Sequence, residues 1–283
     1  MSETTGTIRE TFWLRRPGLV LSVVVLVCVL LAAFFPGLFT GQDPLSGVPA
    51  DKLQPPSPHH PFGTDQLGRD LFSRVAHGAA LSLKATALAV AVGLVVGSGL
   101  GLLAGYAGGL LDDALMRVAD VLLAIPNLLL SLALVTALGF GTVKVAIAVG
   151  VTSVASFARI MRSEVLRVRE ATYVEAARSA GARRGSVLLR HVLPGASGPV
   201  LVLAAVEFGT VVLAVSSLSF LGYGAEPPTP EWGSLVSGGR NYLATAWWLT
   251  TLPGLTIAAT VLAANRISRA LDGELNEERA ESR

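Results

Sequence analysis

Long apolar stretches alternate with segments rich in proline, glycine and charge along this chain, and six of them stand out. They run approximately over residues 19–35, 85–106, 118–138, 143–161, 198–222 and 246–265. A helix that crosses a bilayer needs roughly 20 mostly apolar residues, so the pattern predicts an all-α membrane protein with six transmembrane helices. Pro17-Gly18 and Pro36-Gly37 bound the first stretch, as helix ends often are. Arg9, Arg15 and Arg16 precede it, yet it closes on Phe34-Phe35-Pro36. With no small-x-small cleavage site there, it reads as an uncleaved first span. Composition agrees: 52% of residues are hydrophobic and only 15% charged, against about 25% charged in an ordinary globular domain. Cys28 is the single cysteine, which excludes an intrachain disulfide and offers no metal cluster.

The net charge of +2 says less than where the charges fall. Arg159, Arg162, Arg167, Arg169, Arg178, Arg183, Arg184 and Arg190 crowd the loop after the fourth stretch, and Arg266, Arg269, Arg279 and Arg283 follow the last. Only Arg240 lies between the fifth and sixth, and Trp247-Trp248 open the sixth where an interfacial belt belongs. Basic loops stay on the cytoplasmic side, so both termini are expected inside. This divides the chain into a cytoplasmic N-terminus (1–18), a first span (19–35), an external loop (36–82), a transmembrane core (83–265) and a cytoplasmic tail (266–283). The proline-rich external loop is expected to be ordered, with short helices.

Within the spans, glycines at 93, 97, 101 and 105 line one helix face, where a second helix backbone can approach closely; packing inside this chain is favoured over an interface. Asp112, Asp113, Arg117 and Asp120 make the start of the third span charged and amphipathic, and Pro126 is expected to kink it. Glu207 is the one acidic residue well inside a span; a carboxylate there calls for a hydrated path or a partner. Asp120, Pro126 and Glu207 are therefore the candidates for a translocation path.

The loop at 162–195 carries the most information. Residues 162–180 are rich in helix formers, and Gly181 sits where a C-terminal cap belongs. A second short helix is expected from about 183 to 191, stopping before Pro194. The result is a helix, a turn and a helix on the cytoplasmic side, with Ala176, Ala177 and Ala180 leaving the first helix slim enough to enter a groove on another protein.

Here the sequence resembles a known family. Glu175-Ala176-Ala177, three residues, Gly181, ten residues, then Val192-Leu193-Pro194 is similar to the EAA loop of permease subunits of binding-protein-dependent ABC importers. His60-Pro61-Phe62-Gly63-Thr64-Asp65-Gln66-Leu67-Gly68-Arg69-Asp70, Asp120 with Ala124 and Pro126, and Ser219-Phe220-Leu221-Gly222 followed by Pro227-Pro228-Thr229-Pro230-Glu231-Trp232-Gly233 resemble the peptide and nickel branch, specifically the C-type permease of dipeptide and oligopeptide importers. The likeness covers roughly residues 10–270. Ala80, Tyr223 and the run Asn265-Arg266-Ile267-Ser268 depart from it.

The resemblance implies a type I ABC importer permease fold in the bacterial cytoplasmic membrane, with a cytoplasmic coupling helix between spans four and five. Tyr173, Glu175, Ala176, Ala177, Gly181, Leu193 and Pro194 are the expected ATPase-coupling residues. The implied partners are a second permease subunit, two ATPase subunits, an external substrate-binding protein, membrane lipid and a peptide substrate, with no nucleic acid. Thr64, Asp65, Arg69, Asp70, Pro228, Glu231 and Trp232 are expected in rigid external turns with exposed polar and aromatic groups, as candidate contacts for the binding protein. The implied solute is a dipeptide or oligopeptide, with nickel or another small solute as the alternative.

No Gly-x4-Gly-Lys-Ser/Thr phosphate loop occurs, so ATP hydrolysis is expected on separate subunits, with no catalytic site, cofactor or metal here. The adjacent His59 and His60 read as a solvated loop feature. An intramembrane serine protease would need a histidine inside a span, and all four lie in loops. A secondary transporter would more often show an inverted repeat, and none is visible.

Overall fold

A computed structural model describes residues 17–281, and for 271–281 the backbone alone. Arg9, Arg15, Arg16 and Arg283 lie outside the described residues, as does the side chain of Arg279. The chain is nearly all helix: α1 (Pro17–Phe34), α2 (Leu71–Ala107), α3 (Gly109–Ala124), α4 (Asn127–Leu138), α5 (Thr142–Val168), α6 (Thr172–Ser179), α7 (Arg184–Phe220), α8 (Trp232–Gly239) and α9 (Trp248–Glu281). Five of these are long and apolar enough to cross a membrane.

The third expected span, 118–138, is not one kinked helix but two, α3 and α4, bent by 98°. Pro126 explains the break. It disfavours helical geometry in the residue before it, and Ile125 is accordingly extended, at φ −92° and ψ 130°. Counted as one broken span, the pair brings the total to six. A second expectation also fails: no helix stops before Pro194. The chain passes from Arg184–Val187 through a π-helical turn, Leu188–Val192, directly into Leu193–Phe220. In that turn the Leu193 N–H bonds the carbonyl of Leu188, five residues back, and the wider turn accommodates a proline that cannot donate to the ladder.

Several helices outrun their apolar stretches. The helix α2 begins at Leu71, inside the expected external loop, and α9 continues past residue 265 to Glu281. Asp70 explains the early start: its Oδ2 accepts the Ser73 N–H at 2.7 Å, an N-cap three residues ahead of an otherwise unpaired donor.

The described chain forms two compact units, one from the residues up to Lys84 with those from Phe208 onward, the other Ala85–Glu207. In the first, α1 and α8 pack on α9 around a core that includes Leu71, Val75, Trp232, Trp248 and Leu249. In the second, α3 and α4 pack on α5, and Phe157, Met161, Val165, Val174, Val187 and Val192 form the core. The glycine stripe faces α5, as the spacing led one to expect. A Cβ on Gly93 would meet Ser153 and Phe157, and one on Gly105 would meet Val165 and the carbonyl of Arg162. On Gly97 and Gly101 it would strike the carbonyls of Val154 and Ala158. Small residues allow this backbone approach.

Candidate functional site

The loop between α5 and α7 is built around one short helix. After Val168 the chain turns through Arg169–Ala171, and α6 runs over eight residues from Thr172. Val174 is fully buried beside Val187 and Val192 in the core of its unit, so one apolar face anchors α6 while the rest of it points out. Tyr173, Glu175, Ala176, Gly181 and Pro194 are exposed; Ala177 and Leu193 are half-buried. Tyr173 lies across the start of the next helical segment, where a Cβ on Gly195 would come within 2.6 Å of its hydroxyl.

Gly181 ends α6 as expected. Its φ is +82°, its N–H bonds the Arg178 carbonyl at 3.0 Å, and the Ala182 N–H reaches back to Ala177 at 3.2 Å. This pair of bonds is the Schellman pattern, which satisfies the last carbonyls of a helix and favours glycine. No atom lies within 4 Å of a Cβ placed on Gly181, so backbone conformation alone selects the residue.

Sequence reasoning missed the contacts that hold this loop. The Tyr106 hydroxyl, near the end of α2, donates to the Arg184 carbonyl at 2.9 Å, and the Arg178 guanidinium lies 6.0 Å from the Tyr106 ring centroid. Arg169 donates to the Gly105 carbonyl at 3.0 Å, a cation on the last turn of a helix. Arg162 makes a two-pronged pair with the largely buried Asp112, at 2.5 and 2.7 Å. Their spacing of 50 residues follows no motif; the only available signal was an acidic residue opening one helix and an arginine in the second half of another.

No hydrogen bond or ion pair joins the candidate path residues to one another among the described residues. Asp120 and Arg159 form an exposed pair at 2.6 Å, and Pro126 lies exposed at the break. Glu207 is half-buried on α7.

The turns expected to be external differ sharply from expectation. Thr64, Asp65, Arg69, Asp70, Glu231 and Trp232 are all buried, none more than 8% exposed; Pro228 alone is exposed. Their polar groups are spent inside the fold. Asp65 accepts the N–H groups of Leu67 and Arg69 through Oδ1 and the Arg69 Nε–H at 2.7 Å through Oδ2, with Arg74 Nε 3.6 Å away. Thr64 donates to the Asp51 carbonyl and accepts from Gln54. His60 is not a solvated loop group: its Nδ1 lies 2.9 Å from Asp70. Glu231 accepts the Ser219 hydroxyl at 2.8 Å and the Ala225 N–H at 2.6 Å. Trp232 donates to Val75, and Trp248, at the start of α9, to Thr64. Arg74 donates to the carbonyls of Pro44 and Pro228, strapping two loops to α2. Such charges are buried because they are paired. These side chains are spent inside their unit, and of the seven candidates only Pro228 is exposed.

Residues 97–276 match the family described as binding-protein-dependent transport system inner membrane component. The chain is 37% identical over 257 residues to the dipeptide transport system permease protein DppC of Alkalihalophilus pseudofirmus, covering 91% of this chain and 84% of that one. It is 39% identical to the glutathione transport system permease protein GsiD of Pectobacterium atrosepticum, covering 94% and 89%, and 36% identical to a probable D,D-dipeptide transport system permease protein of Escherichia coli, covering 94% and 93%. Among solved structures, an inward-facing MetNI methionine ABC transporter matches with a TM-score of 0.54 at 20% identity, over 70% of this chain and 96% of that one. An amino acid ABC transporter matches with 0.55 at 17%, over 71% and 94%.

Proposed function

Since this chain belongs to the family of binding-protein-dependent transport system inner membrane components, we propose that it is a permease subunit of an ATP-driven importer that carries peptides across the cytoplasmic membrane. The observation that supports the solute class is similarity, over more than nine-tenths of the chain, to permeases named for dipeptides and glutathione.

In this reading the subunit performs no bond chemistry and pairs with a second permease, two ATPase subunits and an external binding protein. The exposed face of α6, with Tyr173, Glu175, Ala176, Ala177 and Gly181, and the neighbouring Leu193 and Pro194, dock on an ATPase. Closure of the ATPases moves α6, and the loaded binding protein favours the outward-open state by differential affinity. The contacts of Arg169, Arg178 and Tyr106 with the end of α2 are what could pass that movement to a span.

The direct test reconstitutes the chain with its partner subunits and binding protein in proteoliposomes containing ATP. Labelled dipeptide should accumulate, and nonhydrolysable ATP analogue should abolish accumulation; equal uptake with either nucleotide sinks the proposal. Orientation is tested separately. A reporter fused at Gly185 should read cytoplasmic and one at Thr229 external, from the arginine asymmetry; the reverse at either site removes α6 from the ATPase side.

A further inference from the structure

Between α1 and α9 lies a cavity of about 580 Å³ with two unlike ends. Leu21, Val25 and Leu262 line it along with small residues, and Arg266 and Arg269 close it. The guanidinium of Arg266 lies against the start of α1, where a Cβ on Gly18 would come within 2.5 Å of its Cζ. The glycine is what lets the cation rest there. Three-residue spacing sets both arginines on one face of α9, and among the described residues neither has a carboxylate within ion-pair distance. Val25 is seven residues along α1 from Gly18, roughly 10 Å deeper at a helix rise of about 1.5 Å per residue. Leu21 and Leu262 are 64% and 68% exposed. The groove thus joins two arginines at one end of two spanning helices to an exposed apolar wall.

We propose that this groove binds an anionic phospholipid, with its phosphate between Arg266 and Arg269 and an acyl chain along Leu21, Val25 and Leu262. Guanidinium groups match phosphate oxygens in two-pronged geometry, and basic pockets between spanning helices at the membrane surface favour acidic headgroups. The apolar half distinguishes a lipid from free phosphate, which would leave that wall uncovered. The inference rests on α1 and α9 crossing the membrane, and not on what the importer carries.

The test uses the assembled complex in nanodiscs of mixed phosphatidylglycerol and phosphatidylcholine. Retained lipid is read by native mass spectrometry after detergent extraction. Phosphatidylglycerol should be enriched in the wild type, and Arg266→Gln and Arg269→Gln should each cut the enrichment by about fivefold. Arg266→Lys should keep most of it, which separates charge from a general loss of structure. Inorganic phosphate alone should not displace the lipid; displacement overturns the proposal. In the unmodified protein, a photoactivatable acyl chain on phosphatidylglycerol should label Leu21, Val25 or Leu262. Equal labelling by the phosphatidylcholine probe, or no labelling because protein fills the groove, overturns it whatever the variants do.

Discussion

Around the start of α2, Asp65, Arg69, Asp70 and Arg74 are at most 8% exposed, and Glu231 is 1% exposed. Around α6, by contrast, Glu175, Arg178, Arg183, Arg184 and Arg190 all stand exposed. Both segments are polar and glycine-punctuated in sequence. The difference lies in partners. Asp65 alone answers two N–H groups and a guanidinium, with a second guanidinium beside it, so these turns fold around their charges. The arginines of the α6 loop outnumber nearby carboxylates, and buried Val174 and Val187 hold the loop down together with the Tyr106 and Arg169 contacts. Buried, paired charges specify a rigid shape, whereas exposed ones remain free to meet another surface.

The comparison breaks hardest at Asp65. Asp65→Ala leaves Arg69 and Arg74 buried without their carboxylate, and loss of one partner of a buried pair costs about 3–5 kcal/mol. A large drop in the thermal unfolding midpoint of the detergent-solubilised complex is expected. Asp120→Ala, from the exposed pair with Arg159, should leave that midpoint nearly unchanged. Equal effects would mean that burial does not separate the two kinds of pair.

The glycine stripe sharpens the same contrast inside one helix. Gly101→Val would drive a side chain into the Ala158 carbonyl, and overpacking of this sort costs roughly 1–3 kcal/mol. Gly99 has nothing within 4 Å of a Cβ, so Gly99→Ala should be neutral or stabilise by up to about 1 kcal/mol through helix propensity. Unfolding midpoints of the two variants, measured side by side, check the assignment of faces.

Legibility followed the range of the interaction. Hydropathy located the long helices, since spans are specified by their own residues, and four-residue spacing gave the α2 face. Gly181 was readable because its cap depends on residues within the same turn. The α3–α4 break was half legible: Pro126 announced a disturbance, but neither its 98° size nor the extended Ile125 follows from one proline. Pro194 misled because a π-helical turn, a tertiary adjustment, let the helix run on. The outer motif misled most. Polar residues in a loop read as exposed, and what makes these interior is a combination of local partners, such as Leu67 and Arg69 for Asp65, with distant ones, such as Val75 for Trp232. Arg162 with Asp112 was hidden for the same reason.

The smallest expected effects concern the proposed docking face, and there the two marked residues should separate. Gly181 works through backbone: at φ +82° a branched side chain is strained by about 1–2 kcal/mol, although no atom stands in its way. Gly181→Val should therefore loosen the end of α6, releasing the ATPases or uncoupling ATP hydrolysis from uptake, with the spans still folded. Gly181→Asn, which tolerates the left-handed region, should retain most of the function, and that difference isolates conformation from bulk. Glu175 is an exposed charge on the same helix. Removing a rim charge weakens an interface by less than about fivefold, and screening by salt reduces this further. Glu175→Ala should therefore lower ATPase affinity slightly at low ionic strength and hardly at all at high salt, with uptake near wild type. Bound ATPase, hydrolysis rate and peptide uptake measured on the same proteoliposomes provide the comparison. If Gly181→Val keeps wild-type values in all three, α6 is not the coupling element. If Glu175→Ala is as severe as Gly181→Val, its carboxylate is buried in the complex and paired there, which would bring this helix closer to the design of the outer turns.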